Sequence, residues 1–167
     1  MPNMSADSLK TNLSSPARGY LWEIIFSNPL SGDAETLMLR ATSTSEPEKG
    51  VGSIKIPYKQ TAGIKFPGKA TFPQTWDITF VEGQDRKILD TFSSWIDKIV
   101  NAKTGIGSLL IKTDVYLNLI NTDGTIGKKI KMVGVYPEKK GAVALSYEDD
   151  KEVRPTITLS YDRWELA

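Results

Sequence analysis

The 167-residue sequence contains no cysteine and no histidine. These two absences exclude disulfides, zinc sites of the Cys/His type, Ser-His-Asp triads and Cys-His nucleophiles. An excess of one charge is missing as well. The 21 basic and 20 acidic side chains leave a formal net charge of +1, which gives no bulk attraction to nucleic acid or to an anionic membrane. Long apolar runs are absent: residues 21–26 form one of the longest, and Glu23 interrupts it. That is far too short to span a bilayer. Residues 1–18 are polar and rich in Ser and Asn, without the apolar stretch of a signal peptide, so a soluble, intracellular product is expected. What is present, 40% hydrophobic residues over this length, suits one domain with its own core.

Patterning divides the chain. Residues 1–17, rich in Ser, Asn and Pro, read as a flexible N-terminal arm with little to bury. Residues 18–167 read as the folded domain. Gly19 to Phe26 is aromatic and β-branched, a strand closed by Asn28-Pro29 and Gly32-Asp33. Residues 35–43 are expected to form a second strand, with Leu37 and Leu39 opposite Met38 and Arg40, linked to the first by a hairpin. Residues 75–81 alternate Trp76, Ile78 and Phe80 against Asp77 and Thr79. One helix is expected over 85–101, where Ile88, Leu89, Phe92, Trp95, Ile96, Ile99 and Val100 keep helical spacing. Residues 114–120 and 126–136 flank Asn121-Thr-Asp-Gly124, a hairpin signal, with Tyr136-Pro137 expected to end the second strand. The last strand, 155–164, points Ile157, Leu159 and Tyr161 one way and Thr156, Thr158, Ser160 and Asp162 the other. The fold class is therefore mainly β (α+β): an antiparallel barrel or sandwich with one packed helix.

Residues 46–70 stand apart. Lys49, Lys55, Lys59, Lys65 and Lys69 occur with no acidic residue between Glu48 and Asp77. Two short runs flank Gln60-Thr-Ala-Gly63. In the first, Ile54, Ile56 and Tyr58 share one face and Lys55, Pro57 and Lys59 the other; in the second, Ile64 and Phe66 oppose Lys65 and Pro67. Pro57 and Pro67 confine such strands to a sheet edge. A projecting hairpin of this kind is marginal in water alone, so its apolar face needs a surface and its lysines suit an acidic partner. Docking on another subunit through Lys55, Ile56, Tyr58, Lys59, Ile64, Lys65 and Phe66 is the favoured reading. Few aromatics are available to stack on bases, so sequence-specific nucleic-acid binding is not expected.

Catalysis finds no support. Gly50-Val-Gly52 and Gly105-Ile-Gly107 lack the third glycine and the strand–helix context of a dinucleotide site. The acidic run 148–152 lacks the alternating ligands and central glycine of a calcium loop. Neither Asp77 nor Asp85 has a carboxylate partner at a fixed spacing. Trp76, Phe92 and Trp95 read as core, whereas Trp164 either closes a barrel rim or contacts a neighbour. No catalytic, cofactor or metal residues are assigned.

The order of elements resembles the tail tube proteins of T-even-type contractile-tailed phages. Carrying the resemblance are Ala17-Arg-Gly-Tyr-Leu-Trp-Glu-Ile24, Arg40-Ala-Thr42, Thr71-Phe-Pro-Gln-Thr-Trp-Asp-Ile-Thr79, the helix with Phe92 and Trp95, Val133-Gly-Val-Tyr-Pro137 and Leu159-Ser-Tyr-Asp-Arg-Trp-Glu165. The resemblance implies hexameric rings stacked into a tube, with strands of each subunit forming a continuous inner barrel, the helix outside the lumen wall and the long hairpin docked on an adjacent ring. It also implies a sheath outside, a baseplate or tube initiator and a tail terminator at the ends, and tape measure protein and DNA in the lumen. The product would belong to the virion tail, assembled in the host cytoplasm. A lumen that passes DNA should not grip phosphate, so polar side chains such as Thr156, Thr158, Ser160 and Asp162 are the candidates to line it. Tubes of bacteriocin-like particles, extracellular injection systems or type VI secretion, and a monomeric β-barrel binding module, are the competing readings.

Overall fold

The computed structural model describes residues 5–13, 15–27, 34–107, 111–148 and 150–167. Helix α1 (Ala6–Leu13) precedes strand β1 (Trp22–Phe26), helix α2 (Ala34–Arg40) and strand β2 (Ala41–Thr44). A long hairpin follows, β3 (Gly50–Tyr58) and β4 (Thr61–Thr71), then β5 (Thr75–Phe80) and helix α3 (Lys87–Ile99). Strands β6 (Thr113–Ile120), β7 (Ile126–Lys140), β8 (Thr156–Ser160) and β9 (Arg163–Leu166) complete the chain. Seven strands form one sheet in the order β1-β6-β7-β8-β5-β2, with β9 also on β7, while β3 and β4 pair only with each other.

The 15-residue β7 belongs to both halves of the large sheet. Its first part pairs with β6 and, through residues 130–133, with β9; its last part pairs with β8. The strand turns this corner at Gly134, which has φ +69° and lies where a Cβ would collide with the Asp162 carboxylate. Glycine alone fits there, in the way strands commonly switch sheets at a bend.

Between the halves sits the core. Ile24, Phe26, Val115, Leu117, Ile130 and Met132 enter it from one half, Trp76, Ile78, Phe80, Ile157 and Leu159 from the other, and all are buried. Helix α3 supplies Ile88, Phe92 and Trp95, all fully buried. The Phe92 ring lies 6.3 Å from that of Phe26, 5.5 Å from Phe80 and 6.1 Å from Trp95, on which it stacks. The Trp95 indole donates to the Ile111 carbonyl at 3.1 Å, so its one polar atom is satisfied.

The start of α3 is held by a carboxylate outside the helix. Arg86 is left-handed (φ 52°) and provides no side-chain cap. Instead the buried Glu82 carboxylate accepts from the Ile88 amide at 3.2 Å, the Leu89 amide at 2.8 Å and the Gly83 amide at 3.0 Å. A negative group against unsatisfied first-turn donors is favourable both as a hydrogen-bond acceptor and to the helix dipole. Arg40 stands beside it, 3.5 Å from Glu82, and grips Asp85 through two bonds of 3.0 and 3.1 Å.

Several expectations change. Residues 35–43 are not one strand: α2 occupies Ala34–Arg40 and only Ala41–Thr44 is extended. The segment Ala-Glu-Thr-Leu-Met-Leu-Arg consists, apart from Thr36, of strong helix formers, and its apparent alternation is too short to indicate a strand. Leu37 is buried while Leu39 is 73% exposed, so the two residues expected to share one face part company. The turn expected at residues 28–33 lies outside the described residues. The N-terminal arm carries the eight-residue α1, with no buried residue, and the Ser5 hydroxyl accepts from the Ser8 amide at its start. Strand β7 does not stop at Tyr136-Pro137 but runs on to Lys140, because a register shift between Pro137 and Lys139 accommodates the missing donor. The last strand is broken into β8 and β9 at Tyr161 and Asp162.

Two outcomes test this account. Glu82→Ala should lower the unfolding free energy by roughly 2 kcal/mol, since it strands first-turn amides and removes a charged acceptor; chemical denaturation should show a lower midpoint at unchanged slope. The Arg40 hydrogen bond also holds the Asp85 carboxyl below its usual range. Its stabilising effect is therefore present above the unfolded carboxyl's value and lost as pH falls through the folded one. The Asp85→Asn variant should show a shallower loss of stability with acid, below about pH 4, than the parent.

Candidate assembly surfaces

The β3–β4 arm is a sheet with two uncovered faces. Its register places Ile54 opposite Phe66 and Ile56 opposite Ile64, while Lys55 faces Lys65. Ile54, Ile56, Tyr58, Ile64 and Phe66 are each about half exposed, so the chain's own body covers little of this apolar strip. On the reverse face, two lysines directly opposite each other repel. At the tip, Lys59 is left-handed (φ 45°) and its ammonium lies 5.6 Å over the Tyr58 ring. Gly63, at φ +78°, sits where a Cβ would press on the Ile56 carbonyl at 2.8 Å, which marks the register shift near the tip. The structure thus brings together all seven residues expected on the arm.

The arm's base is tied down by three elements. The Trp76 indole of β5 donates to the Ser45 carbonyl at 2.7 Å, and Lys128 of β7 lies 3.5 Å from Glu46. The Trp164 indole of β9 donates to the Glu48 carbonyl at 2.9 Å, and its ring meets Phe72 edge-on at 6.5 Å. Lys49 spans both rings, 5.7 Å from Trp164 and 6.0 Å from Phe72. Trp164, which the sequence left open between rim and neighbour, closes the root of the arm. Tyr161, three residues before it, is buried with its hydroxyl unpaired among the described residues, and that burial pushes the phenol up from its ordinary value.

Of the four residues expected to line a lumen, three stay together. Thr156, Thr158 and Ser160 lie on the outward face of β8, beside Thr79, Asp77 and Thr75 of β5. Thr156 and Thr79 share a 3.1 Å hydrogen bond, and the Thr158 hydroxyl donates to Asp77 at 2.6 Å. Asp162 is set apart, past the bend, where it takes the Lys112 ammonium at 3.0 Å. Sequence reasoning named the polar alternation of β5 but not its pairing with β8, which no local pattern encodes. It also missed Lys139, whose register position is opposite Thr158. The other half of the sheet presents a different outward face. Lys131 pairs with Asp114 at 3.3 Å, a hydrogen bond that raises the lysine's pKa, and Lys129 lies 4.6 Å over the Tyr116 ring. The buried Asn118 amide donates to Glu23 at 2.9 Å.

Elsewhere the chemistry is sparse. A cleft of about 780 Å³ opens between residues 15–22, Thr44 to Glu46 and the β6–β7 turn. Gly50 and Gly52 lie within β3, and Gly105 and Gly107 in the turn after α3, so neither pair joins a strand to a helix. Within the acidic run Glu152 is engaged by Arg154. Among the described residues no group of three or more His, Cys, Asp or Glu could hold a metal ion, and no helix is long and apolar enough to cross a membrane.

Against known families, residues 23–167 match the phage tail tube protein family. The chain belongs to that family. It is thus a member of a structural family, not an enzyme family. Solved structures of the same fold include the sheath–tube complex of an extracellular contractile injection system (PVC) in its extended state, at a TM-score of 0.63 and 18% identity over 99% of each chain. The sheath/tube terminator of that system matches at a TM-score of 0.68 and 15% identity, covering 92% of this chain and 97% of that one. The anti-feeding prophage baseplate gives a TM-score of 0.68 at 9% identity, over 92% and 96%. A search of curated protein sequences finds no match.

The clamp at the arm's root makes a checkable statement. Trp164→Phe keeps the ring contact but removes the donor to Glu48. Amide exchange should then quicken across residues 48–72 and stay unchanged in β6 and the first part of β7, since regions open in separate units.

Proposed function

We propose that this tail tube family member is the tube subunit of a contractile phage tail, assembled as hexameric rings that stack into a hollow conduit for DNA ejection. The observation that carries the reading is the β3–β4 arm, held firmly at its root and left with an uncovered apolar face along its length. Such a face suits a neighbouring subunit. Covering five half-exposed side chains contributes on the order of 5 kcal/mol per arm before ordering costs, and a ring repeats the gain with each subunit.

In this reading the arm residues Lys55, Ile56, Tyr58, Lys59, Ile64, Lys65 and Phe66 dock on an adjacent ring. The sheath lies outside, a baseplate or tube initiator and a tail terminator close the ends, and tape measure protein and then DNA occupy the lumen. The subunits assemble in the host cytoplasm and end in the virion tail. Thr156, Thr158 and Ser160, with Asp77 and Thr79 beside them, form the outward face best suited to line the lumen. Hydroxyls dominate it, with Lys139 opposite Thr158 an adjoining cation, so passing phosphates find few charges to hold them. Asp162 is spent on Lys112 and lines the lumen least. A tube map with a lysine-lined lumen would contradict this placement.

A second reading puts the same tube in an extracellular contractile injection system, supported by the fold likeness over 99% of both chains. Nuclease-protected DNA in purified particles favours the phage tail, and its absence the injection system.

Deleting residues 52–69 tests the central claim. The shortened chain should stay folded, with a cooperative thermal transition, yet form no rings or tubes in negative-stain micrographs at concentrations where the parent does. Unchanged assembly overturns the docking role of the arm.

A further inference from the structure

Resting on the reading that the arm docks on a neighbour, we infer that its occupant is the β7–β8 loop of a second copy of this chain, met at Leu145, Tyr147, Glu148 and Asp150. Three independent observations converge on it. The first is exposure. Leu145 is 76% exposed and Tyr147 fully so, and the described residues of the loop leave them uncovered. Contiguous apolar surface rimmed by polar residues is a mark of interaction sites.

Charge is the second. From Lys49 to Lys69 the arm carries five lysines and no carboxylate, and none of the five forms an ion pair with a described residue. Many of the chain's carboxylates are already neutralised: Glu46 by Lys128, Asp85 by Arg40, Asp114 by Lys131, Glu152 by Arg154 and Asp162 by Lys112. Glu148 and Asp150 form no ion pair with a described residue, and they sit within three residues of exposed Tyr147. Apolar side chains beside free carboxylates are what an arm with an apolar face and a lysine face requires.

Placement is the third. In the β5–β8 ladder, Thr75 pairs with Ser160 and Thr79 with Thr156. The arm joins the ladder at the Thr75 end, whereas the β7–β8 loop enters it at Thr156. Four residues of strand, about 13 Å, separate the two ends. Each copy thus offers the arm at one end of the ladder and its receptor at the other. A contact between unlike surfaces at opposite ends is head-to-tail: it passes from copy to copy, and it builds a stack where the rotation between copies does not close it into a ring.

Charge exchange in the full-length chain tests the inference. Lys55→Glu with Lys65→Glu, and separately Glu148→Lys with Asp150→Lys, should each raise the concentration needed for assembly by about tenfold or more, because each sets like charges against each other. The four changes together should return it to near the parent value. Glu35→Lys, on α2 beside exposed Leu39, is the control surface and should have no effect. Thermal unfolding of each variant reports whether the subunit itself is intact. Because the sequence has no cysteine, Ile56→Cys in one copy and Tyr147→Cys in another provide the only thiols in a mixed sample. A short bis-maleimide should join the two, and should fail to join Ile56→Cys to Leu39→Cys. Normal assembly of the Glu148/Asp150 variant, or no cross-link from Ile56→Cys to Tyr147→Cys, overturns the inference. If the arm variants still fail to assemble in that case, the docking role of the arm survives and only the receptor is wrong. If deletion of 52–69 leaves assembly unchanged, both fall.

Discussion

Phe92 makes one core out of two half-sheets. Its ring touches Phe26 of β1 on one side and Phe80 of β5 on the other, and no strand pairing joins β1 to β5 directly. Removing such a ring from a filled core costs about 3–5 kcal/mol, a large share of the 5–15 kcal/mol that holds a typical domain together. The position of α3 is therefore a constraint on everything else, and it is set from outside the helix by the Glu82 carboxylate. Arg40, at the end of α2, stands 3.5 Å from that carboxylate and fixes Asp85 beside it. A helix the sequence reads as a strand thus positions the helix that the core is built around.

The second constraint is the corner in β7. A strand that passes from one half-sheet to the other must bend without losing its ladder, and Gly134 with its positive φ provides that bend. Its close neighbour across the corner, Asp162, breaks the last strand in two. The break redirects the chain so that Trp164 pairs against Met132 of β7 and reaches the Glu48 carbonyl. The corner that closes the body therefore also supplies the clamp at the root of the arm, and the arm's direction is inherited from the core.

Much of this was readable before the structure. The alternation of Trp76, Ile78 and Phe80, the helical spacing of Ile88, Phe92 and Trp95, the Asn121–Gly124 turn and the two faces of the arm are local patterns, and local patterns survive in sequence. What was not readable is non-local. Glu82 carries no signal of its own as an acceptor for amides of residues 88 and 89, since any acidic residue before a helix looks alike. Trp164 stays open between rim and neighbour in the sequence because its placement depends on a bend near Gly134, 30 residues earlier. Residues 35–43 failed for another reason: over seven residues, an alternating and a helical pattern share too many positions to be separated. Propensity, from Ala34, Glu35, Leu37 and Met38, was the better guide there.

The free subunit is locally frustrated in its arm, and that frustration orders its behaviour. An apolar strip without cover and lysines facing lysines both oppose the hairpin, whereas the core gains nothing from either. The arm's strands pair only with each other and contribute no residue to the buried core, so the body is expected to fold without them. Two arms also cannot relieve each other. Their lysines repel, and Pro57 and Pro67 interrupt the donors that edge-to-edge pairing would use, a recognised protection of exposed strands. Only a surface that brings both carboxylates and apolar side chains removes the two penalties together. The same residues that make the arm unstable alone therefore decide what it can join, and they exclude the commonest wrong partner, another arm.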